Sequence, residues 1–213
     1  MDVVIAGGHG QIALHLERVL ADAGHRVSAL IRKRDHDSDV REAGAEPVMC
    51  DLEQETDLSH YVTGADAVVF AAGAGPGSGA ERKRTVDRDG ALKLIDAARR
   101  TGVKRYVIVS SVGADDPSRG SEQMRPYLEA KAQADRAVAD SDLDWTIVRP
   151  GRLTNGAGTG LVTVTTDMTA YGEVTREDVA RVLAAVLGTP STIGKTFVLL
   201  GGDTPVEDAV AAL

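Results

Sequence analysis

The chain has 213 residues, with 24 Lys plus Arg against 32 Asp plus Glu, a net charge of −8 and a pI of about 5.1. That length suits one α/β domain with a full core, and the acidic balance argues against a protein whose main task is gripping nucleic-acid backbone. The single cysteine, Cys50, leaves no intramolecular disulfide and no zinc cluster, the five histidines lack ligand spacing, and no apolar run nears the ~18 residues of a membrane span.

Asp2 to Ala6 reads as a buried parallel strand, a short β-branched run without a polar face. It begins at residue 2 and so leaves no room for a leader; the expectation is a cytoplasmic protein without a membrane partner. The strand breaks at Gly7-Gly8-His9-Gly10 and is followed by a helical pattern in which Ile12, Leu16, Val19 and Leu20 recur. Arg26 to Ile31 reads as a second strand, with a charged helical stretch through Ala43 ended by Gly44. Glu46 to Cys50 reads as a third strand and Ala65 to Ala72 as a fourth, running into the glycine-rich loop 73–79.

Arg82 to Thr101 is predicted as one long helix with Val86, Leu92, Ile95 and Ala98 toward the sheet. Lys104 to Ser110 is a fifth strand, Tyr127 to Ser141 a helix and Asp144 to Arg149 a sixth strand, stopped by Pro150-Gly151. A short β pattern (Leu161 to Thr165), a helix from Arg176 to Leu187 with Thr175-x-x-Asp178 as its cap, a strand from Lys195 to Leu200 and a terminal helix complete the order. Strands alternating with helices predict a doubly wound parallel sheet, a Rossmann fold of about seven strands in one domain over 1–213, with a small substrate-side region within 151–213.

A glycine turn between a strand and a helix is the geometry that cradles a dinucleotide pyrophosphate, although such turns also occur without ligands. After the second strand stand Arg32-Lys33-Arg34, with no carboxylate before Asp35, which predicts NADP(H) over NAD(H) because arginine pairs a 2′-phosphate. His9 could add a contact to the same phosphate. Asp51, closing the third strand, could accept from the adenine amino group with Leu52 against the ring, or serve only as a helix cap. Small residues at Ala71, Ala72 and Gly73 would let a ribose lie against the backbone. Tyr127 and Lys131, four apart on one helix face, form an acid–base pair in which the ammonium favours the phenolate; Ser110-Ser111 at the end of the fifth strand supplies a hydroxyl. Trp145 sits on a buried strand pattern and reads as core.

Gly7-x-x-Gly10-x-x-Ala13, the serine pair, Tyr127-x-x-x-Lys131 and the run Thr146 to Leu153 together resemble the short-chain dehydrogenase/reductase superfamily. More narrowly they resemble its atypical NAD(P)-binding branch, related to NmrA-like proteins and to biliverdin reductase B/flavin reductase. The segments Thr175 to Ala180 and Leu200 to Pro205 resemble the closing parts of small bacterial members often labelled sugar epimerases or NAD(P)H-binding proteins. The resemblance implies that Gly7, Gly10, Gln11 and Ile12 line the pyrophosphate, Arg32 holds the 2′-phosphate, Asp51 and Leu52 bracket adenine, and Ala71 to Gly73 lie under the ribose. It implies Ser111 as the catalytic serine, with Ser110 beside the cofactor, Tyr127 as the acid–base, and Lys131 binding the nicotinamide ribose while tuning Tyr127. Pro150, Gly151 and Leu153 would offer backbone to the nicotinamide amide. Ala13 in place of a third glycine and His9 in place of a hydroxyl residue depart from the pattern.

The leading expectation is an NADP-dependent oxidoreductase acting on a small carbonyl, alcohol or conjugated acceptor. An NAD(P)-dependent sugar epimerase and a non-enzymatic NADP(H) sensor are the alternatives. A small-molecule substrate is the expected partner, and the sequence does not choose between monomer and homodimer.

Overall fold

Strand β1 (Asp2–Ala6) is buried from Val3 through Ala6, the mark of a central strand covered on both faces. The computed structural model describes residues 1–75 and 77–213; Pro76, within the glycine-rich loop, lies outside the described residues. After β1 come α1 (Gln11–Asp22), β2 (Arg26–Ile31), α2 (Asp37–Glu42), β3 (Glu46–Met49), α3 (Ser59–Val62) and β4 (Ala67–Phe70). The short helix α4 (Ala80–Arg82) continues as a π-helical stretch, Lys83–Asp89, into α5 (Gly90–Thr101). Then follow β5 (Arg105–Val109), α6 (Arg125–Ala139), β6 (Asp144–Pro150), β7 (Arg152–Thr154), β8 (Leu161–Thr165), β9 (Glu173–Thr175), α7 (Arg176–Leu187), β10 (Lys195–Gly201), β11 (Thr204–Pro205) and α8 (Val206–Ala211).

Nine strands form one sheet in the order β11-β8-β10-β6-β5-β4-β1-β2-β3, and β7 pairs with β9 in a small second sheet. The expected parallel sheet is present from β3 across to β10. Its far edge differs from expectation: β8 runs antiparallel to β10, and β11 antiparallel to β8. β9 follows β8, and β11 follows β10, with no helix between them, which is why the helix–strand alternation used for counting undercounts the strands here.

Period-two alternation sends Val3 and Ile5 to one face and Val4 and Ala6 to the other. The first face packs Leu16 and Leu20 of α1, Val179, Val182 and Leu183 of α7, and Val210 of α8. The second packs Leu58 and Val62 from the α3 region, Leu94 and Ala98 of α5, and Ala134 and Val138 of α6, with Trp145 partly buried against it. Thr175 caps α7 as predicted: its Oγ1 accepts from the Asp178 backbone N–H at 3.0 Å.

One helix departs from its sequence pattern. The predicted continuous helix from Arg82 is interrupted by the π-helical stretch, whose wider turn shifts the face presented to the sheet. Leu92, expected inward, is 40% exposed, and Leu94 is buried in its place. The same shift carries Asp87 fully into the interior.

Candidate active site

The sheet order places β1 between β4 and β2, so the chain winds away in opposite directions from β1 and β4, and a crevice opens at their carboxyl ends. The glycine loop sits at this point. Gly7 has φ +87°, and a Cβ there would lie 2.5 Å from Ala72 Cα, so only glycine lets the loops after β1 and β4 meet. Gly10 closes the turn by donating its N–H to Gly7 O at 2.9 Å and caps α1 with extended backbone and no side-chain cap. The first turn of α1 carries no acidic residue. A bare helix N-terminus over a glycine cradle fits an anion of the pyrophosphate type.

Two adjoining cavities share Ala71, Ala72 and Gly73 as a common wall. The first, about 240 Å³, is also lined by Gly7 and Gly10, expected at the pyrophosphate, and by His9, Arg32, Asp51 and Leu52, expected on the adenosine side, together with His36, Cys50, Glu53, Arg82 and Val86. Arg32 is exposed and forms no ion pair with a described residue. Arg82 Nε is held 3.2 Å from Glu53 Oε2. Asp51 Oδ1 accepts the Glu53 N–H at 3.0 Å, so it caps a turn and not a helix, from a place in the cavity wall. Cys50 is buried, and burial pushes its thiol up to about 12.

The second cavity, about 470 Å³, has walls from Ile12, Val109, Met124 and Leu153 and polar groups from Ser110, Tyr127, Lys131, Asp87, Lys83 and Gln123. Tyr127 and Lys131 are brought together as predicted, with Lys131 Nζ 5.8 Å from the Tyr127 ring centroid. Lys131 is 3% exposed; its Nζ donates to Val109 O at 3.0 Å and lies 3.3 Å from Asp87 Oδ1. Burial opposes its charge, but Tyr127, Asp87 and Asp135 outweigh burial and hold the ammonium above its ordinary range. Asp87 also accepts the Ala74 N–H on Oδ2 at 3.0 Å, tying the loop after β4 to the lysine.

The sequence expectation put Ser110 beside the cofactor and Ser111 at the chemistry. Ser110, rather than Ser111, is among the cavity-lining residues. Its Oγ donates to Asp135 Oδ2 at 2.8 Å, and that oxygen is also reached by Arg149 Nε at 3.0 Å. Burial raises the Asp135 carboxyl against the pull of Arg149 and the Ser110 hydrogen bond. Ser111 Oγ donates to Val112 O at 3.1 Å.

Of the three residues expected at the nicotinamide amide, Leu153 lines the cavity. Pro150 O accepts the Val112 N–H at 3.1 Å, and the Gly151 N–H goes to Leu199 O at 3.0 Å. A Cβ at Gly151 would lie 2.3 Å from Gly172 O, so packing accounts for that glycine. Gln11 is exposed at the start of α1. Sequence reading missed Asp87, Glu53, Arg82 and His36. The charges of the first three looked like a solvated helix or loop surface, and His36 had no spacing partner. Among the described residues, no helix is long and apolar enough to cross a membrane, and no group of three or more His, Cys, Asp or Glu could hold a metal ion.

Comparison with known proteins agrees with this geometry. Residues 7–190 match the family described as NAD(P)H-binding. The chain is 37% identical over 215 residues to a Bacillus subtilis protein named as an uncharacterised sugar epimerase, YhfK, with all of both chains covered. A solved Bacillus halodurans structure, named as a candidate NAD-dependent epimerase/dehydratase, is 44% identical with TM-score 0.93 over all of both chains. The Lactococcus lactis oxidoreductase ylbE is 28% identical with TM-score 0.88, covering 100% of this chain and 96% of that one. The chain therefore belongs to the NAD(P)H-binding Rossmann-fold family, within its oxidoreductase- and epimerase-like members.

Proposed function

We propose that this chain is an NADP-dependent oxidoreductase that interconverts a small carbonyl, or a conjugated acceptor, and its reduced form. The observation that carries the reading is the second cavity: Tyr127, Lys131 and Ser110 converge on an apolar-walled space that shares Ala71–Gly73 with the adenosine side. A nicotinamide bound along this trough supplies or takes up the hydride. Tyr127 hands a proton to the substrate oxygen, or removes one from it in the reverse direction. Lys131, fixed by Asp87 and Val109 O, keeps a positive charge beside the phenol and favours its ionised form. Ser110 presents its oxygen from the cavity wall while Asp135 holds its proton. Arg32, which forms no ion pair among the described residues, supports the preference for a 2′-phosphate.

The decisive test is Tyr127→Phe assayed with NADPH against a panel of carbonyls, quinones and flavins. Loss of turnover by about 10²–10⁴-fold with NADPH binding intact is expected for an acid–base residue; unchanged turnover removes Tyr127 from the chemistry. Ser110→Ala and Ser111→Ala decide which hydroxyl acts, the larger loss being expected at Ser110. Arg32→Ala should weaken NADPH far more than NADH, and an equal loss would defeat the NADP preference. If NADPH binds tightly and no acceptor consumes it, the sensor alternative replaces the enzyme.

The epimerase reading draws on the name of the Bacillus subtilis relative. Lys83, Gln123 and Ser110 could bond a sugar's hydroxyls, while Ile12, Val109, Met124 and Leu153 favour a substrate with an apolar part.

A further inference from the structure

The adenosine cavity holds a feature that Arg32 does not explain. His9, from the glycine loop, and His36, from the turn after β2, stack face to face with centroids 3.6 Å apart and planes 9° from parallel. Both rings line the cavity that Arg32 lines. His9 Nε2 is 2.7 Å from Asp39 Oδ2 of α2, so this nitrogen carries a proton toward the carboxylate and Nδ1 is the nitrogen left over. His36 Nδ1 is shut away from solvent without a partner. Its cheaper neutral form therefore keeps the proton on Nε2, because a buried bare acceptor nitrogen costs less than a buried N–H donor left without an acceptor.

We propose that the stacked His9–His36 pair is a proton-coupled clamp for the 2′-phosphate of the cofactor, the pair gaining a proton as the phosphate binds. The proposal rests on the NADP reading and adds to it two specificity-determining residues and a pH dependence.

The charges around the pair set the direction of the effect. On its own turn His36 meets Arg32, Lys33 and Asp35, and across the stack it meets His9; burial, His9 and the two cations hold the imidazolium below its ordinary range. Asp39 of α2 pairs with His9, and the opposite wall of the cavity contributes Asp51, Glu53 and Arg82, the last two paired with each other. In the free protein His36 is thus held short of protonation by burial, by His9 and by its cationic neighbours. A phosphate dianion placed among Arg32 and the two rings reverses that balance and draws a proton onto an imidazole. Proton uptake on binding means affinity for the 2′-phosphate rises as pH falls, by at most ~10-fold per pH unit for each proton taken up. The window is about pH 6–8, because below it a phosphate monoester itself takes up a proton.

The experiment measures dissociation constants of NADPH and NADH between pH 6 and pH 8 for the wild type, His9→Asn and His36→Asn. Calorimetry of NADPH binding to the wild type, in buffers of different ionisation enthalpy, counts protons taken up without any variant. The expected result is an NADPH-to-NADH affinity ratio that rises about fivefold or more from pH 8 to pH 6. NADH affinity should vary little, and either substitution should flatten the ratio. A fixed NADPH preference with no proton uptake overturns the clamp and leaves the NADP reading standing. The same pH slope in the wild type and both variants overturns it too. Equal affinity for NADPH and NADH at every pH overturns the NADP reading and the clamp with it.

Discussion

Lys131 is buried, and its ammonium forms an ion pair with Asp87, 3.3 Å away and itself fully buried. Removing one member of such a pair leaves the other uncompensated, which costs about 3–5 kcal/mol. Asp87→Ala is therefore expected to lower the urea-unfolding free energy by that order. The double variant Asp87→Leu/Lys131→Met should recover much of the loss, since it leaves no lone charge. Glu17 is the opposite case, a carboxyl with no hydrogen-bond partner among the described residues. It is 0% exposed on α1, both oxygens are unbonded, and burial pushes its pKa from 4.5 up to about 8 against the weaker pull of Arg18. Between those two values the folded chain keeps a proton that the unfolded chain has lost, so stability is full below about pH 4.5 and falls as pH rises toward 8. Glu17→Gln should remove that part of the slope, and above pH 8 the variant should be the more stable protein in urea titrations.

At the scale of elements, the run from Ala80 to Thr101 shows what a sequence pattern conveys and what it omits. Residues 90–101 follow helical spacing and were legible as helix, but the π-helical stretch before them follows from the hydrogen-bond register, which residue identities do not encode. Val86, Ile95 and Ala98 are buried as expected, whereas Leu92 is exposed and Leu94 and Asp87 are buried in addition. The glycine turn, the Arg32 cluster and the Tyr127/Lys131 pair were legible because each depends on spacing within one segment. The His9–His36 stack and the Lys131–Asp87 pair join residues 27 and 44 positions apart, and only tertiary packing brings them together. The π stretch also makes a testable distinction between changing a side chain and changing the chain length. Arg84 is exposed, so Arg84→Ala should alter stability by no more than about 0.5 kcal/mol. Deleting Arg84 should instead rotate Asp87 off Lys131 and cost at least the ~3 kcal/mol of the broken pair, read from thermal or urea unfolding.

At the scale of the molecule, the trough is built where β1 and β4 part, with contributions from the loops after β1, β2, β3, β4 and β5 and from α6. A ligand filling it bridges parts of the chain that unfolding would separate, so binding adds directly to stability. At a concentration one hundred times its dissociation constant a cofactor adds about 2.7 kcal/mol. For a chain of this size that corresponds to roughly 5–10 °C in Tm. NADPH should raise Tm more than NADH at equal concentration, and scanning fluorimetry with both reads the difference.

Cys50, the chain's one sulfhydryl, forms part of the adenosine wall, is 4% exposed and has its pKa pushed up to about 12. A thiol kept protonated and covered is a poor nucleophile. Thiol-specific reagents should therefore modify the native protein slowly and the unfolded chain quickly. Enones and quinones, which belong to the acceptors proposed for the neighbouring cavity, alkylate exposed thiolates. On the proposed reading the substrates are themselves electrophiles of this kind, and the placement of Cys50 would spare the chain that form of self-inactivation.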